Sequence, residues 1–132
     1  MLDHVSIAVG EMARASAFYD AVMAALGVPC VWRRADAIGY GLRNGAADDA
    51  HSYLTIRAGA TPATETRNHW CFRARDRGAV RAFHLAGLAH GGRDDGAPDL
   101  RPQYHASYYP AFLLDPDGNR IEAVCHKQDG PA

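Results

Sequence analysis

Several residue types are scarce in this chain, and each shortage excludes something. Lysine occurs once and glutamate three times among 132 residues, against 13 arginines and 12 aspartates. The formal charge nevertheless balances to −1, and no basic run is interleaved with aromatics. That excludes a domain that lives by gripping phosphate backbones. No apolar stretch approaches the roughly 18 residues that a membrane-spanning helix needs. The opening MLDHVSIAV has no basic segment followed by a long apolar core, so no secretory leader is read there and a cytoplasmic location is expected. Three cysteines (Cys30, Cys71, Cys125) are an odd number without C-x-x-C spacing, which excludes a disulfide framework and a zinc ribbon. What remains is a globular composition, 48% hydrophobic and 22% charged, of a length that suits one ordinary domain or two very small modules.

The hydrophobic pattern favours two modules joined into one domain. Residues 2–9 alternate, with Val5, Ile7 and Val9 on one face and His4, Ser6 and Ala8 on the other, which is a strand pattern. Over 12–26 the period lengthens to three and four, through Met12, Ala15, Phe18 or Tyr19, Val22 and Leu26, as on one helix stripe. Gly27 suits the C-terminal cap of that helix and Pro29 prevents its resumption. Short strands are expected at 30–34, 38–43 and 51–56, and then comes a stretch with Gly59, Pro62 and three threonines. After it the programme restarts. A strand at 68–74 puts His69, Cys71 and Arg73 on one face, and Asp76 is a suitable N-cap for a helix running to about residue 89. Residues 93–106 read as irregular, with one short strand near their start. Strands at 109–114 and 120–126 flank the turn D-P-D-G-N, at 115–119.

The order is therefore β-α-β-β-β twice, in modules 1–58 and 66–127 joined by a linker at 59–65 within a single domain spanning 1–132. His4 and His69, 65 residues apart, open the two halves, as an internal duplication requires. The fold class is α+β, built from two tandem βαβββ modules.

Seven histidines invite a metal reading, which most of them do not need. His84 reads as a solvated helix residue, His90 as a helix-end cap and His126 as a solvent-facing strand end. His4, His69 and Glu122 differ, each being a polar group on a strand whose other face is apolar. Carboxylates are rarely buried unless paired or bound to a metal, which makes the scarce Glu122 the most telling of the three. Two histidines and one carboxylate from three strands match a facial triad that leaves positions open for a chelating substrate.

The segments L-D-H-V-S-I-A-V, A-S-A-F-Y-D-A, N-H-W-C-F-R-A and F-L-L-D-P-D-G-N-R-I-E-A-V together resemble the vicinal oxygen chelate superfamily. That group contains glyoxalase I, bleomycin resistance proteins and extradiol dioxygenases. The resemblance implies that His4, His69 and Glu122 hold a divalent metal ion (Fe, Zn, Mn or Ni) and that a small oxygenated substrate chelates to it. Lyase, isomerase or dioxygenase chemistry would follow. It also implies that the strands of the two modules form a curved mixed sheet around a cleft, and that the protein is a homodimer. The balanced charge and the lack of a long apolar stretch leave neither nucleic acid nor membrane as an expected partner. Glyoxalase I adds an acidic ligand on the last strand of its first module, and the matching position reads as Tyr53. That strand holds no Asp or Glu. A tyrosine with an ordinary pKa near ~10 is a poor base for an enediolate isomerisation, which counts against glyoxalase I activity.

The loop R-P-Q-Y-H-A-S-Y-Y-P (101–110) reads as a substrate wall or lid, or equally as a dimer contact. In the first reading His105 is a general acid or base beside Tyr53, and His51, Arg101, Tyr104 and Tyr109 contact substrate. Tyr109 and Phe112 fall on opposite strand faces, so at most one of them meets the cleft. The competing function is a metal-free protein that sequesters a ligand, as bleomycin resistance proteins do.

Overall fold

Alternation in the first strand sets the architecture. In a computed structural model, which describes residues 1–59 and 68–129, β1 (His4–Val9) buries Ile7 and Val9 and leaves His4, Ser6 and Ala8 exposed. Helix α1 (Met12–Leu26) buries Ala15, Phe18, Tyr19, Val22, Met23 and Leu26, so both aromatic residues of the stripe face inward. Gly27 ends it at φ 74°, and the Val28 N–H donates to the Met23 carbonyl. That is the left-handed cap which a residue without Cβ adopts at little cost. Strands β2 (Cys30–Arg33), β3 (Ala37–Gly41) and β4 (Tyr53–Ala58) complete a sheet in the order β1-β4-β3-β2.

The second half repeats this plan. Strand β5 (His69–Arg73) leads to α2 (Arg77–Ala89), where the Asp76 side chain accepts from the Ala79 N–H at 2.7 Å. Strands β6 (Arg93–Gly96), β7 (Tyr109–Leu114) and β8 (Arg120–Cys125) give a second sheet ordered β5-β8-β7-β6. In both sheets the first strand pairs parallel with the last and the remaining pairs are antiparallel. The result is a tandem βαβββ fold of two four-stranded mixed sheets and two helices, without a closed barrel. The linker expected at 59–65 lies outside the described residues apart from Gly59. Among the described residues no helix is long and apolar enough to cross a membrane.

One apolar core joins the halves. Phe18 and Val22 of α1 and Leu113 of β7 surround Gly87 of α2 so closely that a Cβ there would lie 2.3 Å from Leu113 and 3.2 Å from Phe18. The D-P-D-G-N turn adds a polar tie between the modules. Asp115, 1% exposed, accepts from the Tyr19 hydroxyl of α1, the Asp117 and Asn119 N–H groups and the Asn119 side-chain amide. The same amide donates to the Ala8 carbonyl at 3.0 Å. His84, expected in solvent, is instead 7% exposed, with Nε2 2.8 Å from Asp94 Oδ1 on β6. Burial of its ring is tolerable because that carboxylate satisfies its polar edge. His90 caps the helix end as read, with Nδ1 2.8 Å from the Ala86 carbonyl.

Candidate functional site

The parallel pairing of β5 with β8 sets Cys71 opposite Glu122, and thereby brings His69 to the carboxylate from the neighbouring strand. His69 Nε2 lies 3.1 Å from Glu122 Oε2, and the Tyr108 hydroxyl donates to Oε1 at 2.6 Å. Glu122 is 2% exposed. Both its oxygens have partners, as a buried carboxylate requires. Burial, and then the hydrogen bond and charge of Glu122, push the Tyr108 hydroxyl above the ordinary tyrosine range, so it remains a donor. Cys71 is exposed as a residue, but desolvation of its sulfur on the side toward Glu122, and then the charge of that carboxylate, push its thiol up.

Tyr108 is the residue that sequence reading missed. The strand begins one residue later, at Tyr109, so face alternation gives no information about the residue before it. Tyr109 itself lies on the helix side of the sheet, with the Arg77 guanidinium 5.0 Å and that of Arg81 6.0 Å from its ring. Phe112, cross-strand partner of Glu122, occupies the site face instead. The rest of the loop packs around Tyr108. The Tyr104 ring is 4.9 Å from it, and the Arg101 N–H donates to the Tyr108 carbonyl. His105 stacks on His126, with Nε2 2.9 Å from Nδ1 of the other ring, and both histidines are exposed.

His4 belongs to a different sheet. Its Nδ1 lies 2.7 Å from Asp3 Oδ1, and its cross-strand partner is Tyr53. Among the described residues no three His, Cys, Asp or Glu side chains lie close enough to hold one metal ion. A single chain thus brings together two of the three expected ligands, His69 and Glu122, and not His4. His51 sits before β4 with Nε2 2.7 Å from Asp48 Oδ2.

The duplicated register also identifies the first-module counterpart of Glu122. His69 faces Arg120 and Cys71 faces Glu122; in the first sheet His4 faces Tyr53 and Ser6 faces Thr55. Thr55, not Tyr53, therefore occupies the position equivalent to Glu122. It is 4% exposed and cannot supply a carboxylate. Tyr53 instead lies over Gly39, with its hydroxyl 3.2 Å from Arg43. A separate open depression of about 430 Å³, lined by Asp20, Cys30, Arg33 and Tyr40 among others, lies at the C-terminal end of α1, away from Glu122.

The chain is thus a tandem βαβββ protein whose second sheet sets a buried carboxylate and a histidine on adjacent parallel strands. Residues 1–123 match the Glyoxalase/Bleomycin resistance protein/Dioxygenase superfamily, and the chain belongs to that family. A glyoxalase/bleomycin resistance protein from Albidiferax ferrireducens T118 is 31% identical, with TM-score 0.77 over 95% of this chain and 98% of that one. A glyoxalase-related enzyme from Fulvimarina pelagi is 18% identical, with TM-score 0.69 over 95% and 87% of the two chains. A glyoxalase I variant from Zea mays is 22% identical, with TM-score 0.66 over 93% of this chain and 46% of its own longer chain. None of the curated proteins compared matches the chain.

Proposed function

We propose that this protein is a metal-dependent enzyme acting on a small oxygenated substrate that chelates to a divalent cation. The carrying observation is the buried Glu122 carboxylate, 3.1 Å from His69 Nε2. These donors fit a borderline cation such as Zn, Fe, Mn or Ni, since one imidazole nitrogen and one carboxylate oxygen already converge. The proton they now share must leave before both offer lone pairs to a metal. When bound, the cation would polarise a carbonyl, enolate or catecholate oxygen.

The chain's own residues set the rest of the chemistry. Tyr108 orients Glu122 through Oε1, leaving Oε2 toward His69. Such supporting hydrogen bonds fix ligand orientation and typically carry about 10–100-fold in metal affinity. His105 and His126, joined through ring nitrogens beside Tyr108, are the groups available to move a proton at the loop. Thr55 in place of a carboxylate counts against glyoxalase I chemistry, as the absence of Asp and Glu from β4 already does. His4 completes the ligand set from a second copy of the chain, which makes the working form a homodimer.

The competing reading is a metal-free ligand-sequestering protein. What favours it is that Tyr108 and His69 already satisfy Glu122 without a cation. Metal analysis of untagged protein, after reconstitution with Fe, Mn, Ni and Zn in turn, separates the two. The enzyme reading expects near-stoichiometric metal in at least one case. It also expects strong loss of affinity in Glu122→Gln and about tenfold loss in Tyr108→Phe. Metal near zero throughout would leave the sequestering function.

A further inference from the structure

The outer face of the first sheet carries an arginine–aromatic cluster that the metal reading does not use. Trp32 is the cross-strand partner of Gly39, which in turn pairs with Thr55, so all three lie on the face that His4 and Ser6 share. Gly39 has a definite role there. A Cβ at that position would collide with the Tyr53 hydroxyl and the Trp32 indole, so the missing side chain is what lets those two groups meet over the sheet. The Arg34 guanidinium carbon lies 5.0 Å and that of Arg43 5.6 Å from the Trp32 ring, and Arg43 is also 4.8 Å from the Tyr53 ring.

These arginines are held by rings more than by carboxylates. Among the described residues, the polar partner of Arg43 is the Tyr53 hydroxyl at 3.2 Å, and Arg34 is 3.8 Å from an exposed Asp36. Stacking fixes a guanidinium plane while leaving its N–H edge to donate. Among the described residues the Trp32 indole N–H is buried without a hydrogen-bond partner, a further donor in the same cluster. A concentration of oriented donors and positive charge with little built-in acceptor is what an oxyanion requires. Arg43 stands over Tyr53, one strand from His4. With strands roughly 5 Å apart, a small molecule can reach both.

We propose that Arg34 and Arg43 bind an anionic group of the substrate, a carboxylate or a phosphate, against the Trp32 and Tyr53 rings. The substrate of the proposed enzyme is then an oxygenated organic acid or phosphate ester. Its oxyanion is anchored on the first sheet and its chelating oxygens point toward the His4 side. This assignment of a substrate class rests on the enzyme reading above; the binding of the anion does not require a metal.

The test uses chelator-treated protein carrying Trp70→Phe, so that Trp32 is the sole tryptophan. Benzoate, phenyl phosphate and neutral benzyl alcohol are titrated while its fluorescence is followed. Saturable quenching by benzoate, by phenyl phosphate or by both, without quenching by benzyl alcohol, supports the site, and the better of the two anions names the group. Arg43→Ala and Arg34→Ala should each weaken that binding about tenfold, the loss of one charge-assisted contact. Arg43→Lys, which keeps charge without a planar fork, should weaken it less and serves if Arg43→Ala fails to fold. Arg93→Ala, on a different sheet, should leave it unchanged. Equal quenching by benzyl alcohol, no saturable quenching, or undiminished binding in both Arg34→Ala and Arg43→Lys overturns the proposal. Because the protein is metal-free, those results leave the Glu122 metal titration standing. Conversely, anion binding without metal uptake would remove the enzyme reading alone.

Discussion

The Tyr19 hydroxyl donates to Asp115 Oδ2 at 2.6 Å across 96 residues of sequence, fastening α1 of the first module to the β7–β8 turn of the second. Burial, and then the charge of Asp115, hold the tyrosine far above its usual range, so it acts only as a donor. Tyr19→Phe should destabilise the protein by about 1–2 kcal/mol, since the carboxylate keeps three other donors. Asp115→Ala should cost about 3 kcal/mol or more, because it orphans a buried hydroxyl and the turn amides together. Urea unfolding of both variants and the double variant checks this. An Asp115→Ala loss no larger than that of Tyr19→Phe would show that the turn, and not the carboxylate, holds the modules.

Gly87 tests the shared core, because two effects of opposite sign compete there. Alanine in a helix interior is favoured over glycine by about 1 kcal/mol. Against this, the new methyl would lie 2.3 Å from Leu113 Cδ1, 3.2 Å from Phe18 and 3.3 Å from Val22. Leu113, Phe18 and Val22 are fully buried and have nowhere to swing, and overpacking of this kind costs about 1–3 kcal/mol. Gly87→Ala is therefore expected to lower Tm. A raised Tm would mean that the helices separate easily, and that the two modules are less firmly joined than their common core implies.

Acid sensitivity should arise in part from Asp94. The His84 hydrogen bond, and then the Gly96 N–H, hold its carboxyl below the ordinary 3.8. A carboxyl depressed in the folded state contributes stability that is fully present above its unfolded value and lost as pH falls through its folded one. The loss should therefore fall below about pH 4. Asp94→Asn removes that titration, so its thermal stability should decline less between neutral and strongly acidic pH than that of the parent chain. Parallel declines in the two proteins would remove Asp94 from the acid response.

The sequence carried the local structure well, because local structure has local causes. Alternation in 2–9 became β1, the Asp76 side chain caps α2, and Gly27 adopts the left-handed cap. The D-P-D-G-N turn was legible as a turn, but its reach to Tyr19 was not, since nothing in the turn specifies which helix will lie above it. His84 looked solvated because Asp94, the partner that allows its burial, lies in a short strand of weak pattern. Tyr53 reads from the resemblance as the match to the first-module acidic ligand of glyoxalase I, whereas the pairings Ser6–Thr55 and Cys71–Glu122 make Thr55 the counterpart of Glu122. His69 and Glu122 could be anticipated as a pair because both belong to one module. The place of His4 relative to them depends on how modules are arranged, which no residue pattern within a module encodes.

That arrangement can be settled by mixing two defective variants. His4→Ala and Glu122→Gln each remove one ligand from a different module. If a metal site combines the first module of one chain with the second module of another, a homodimer of either variant has no complete site. A hybrid dimer, however, pairs both lesions in one site and leaves the other intact. After unfolding and refolding as an equimolar mixture, random pairing makes about half the dimers hybrids, so about one site in four should regain full metal affinity. Titration of the mixture against each variant alone measures this, with sedimentation confirming the dimer. If the site forms within one chain, every chain in the mixture still lacks a ligand, and no tight metal binding returns.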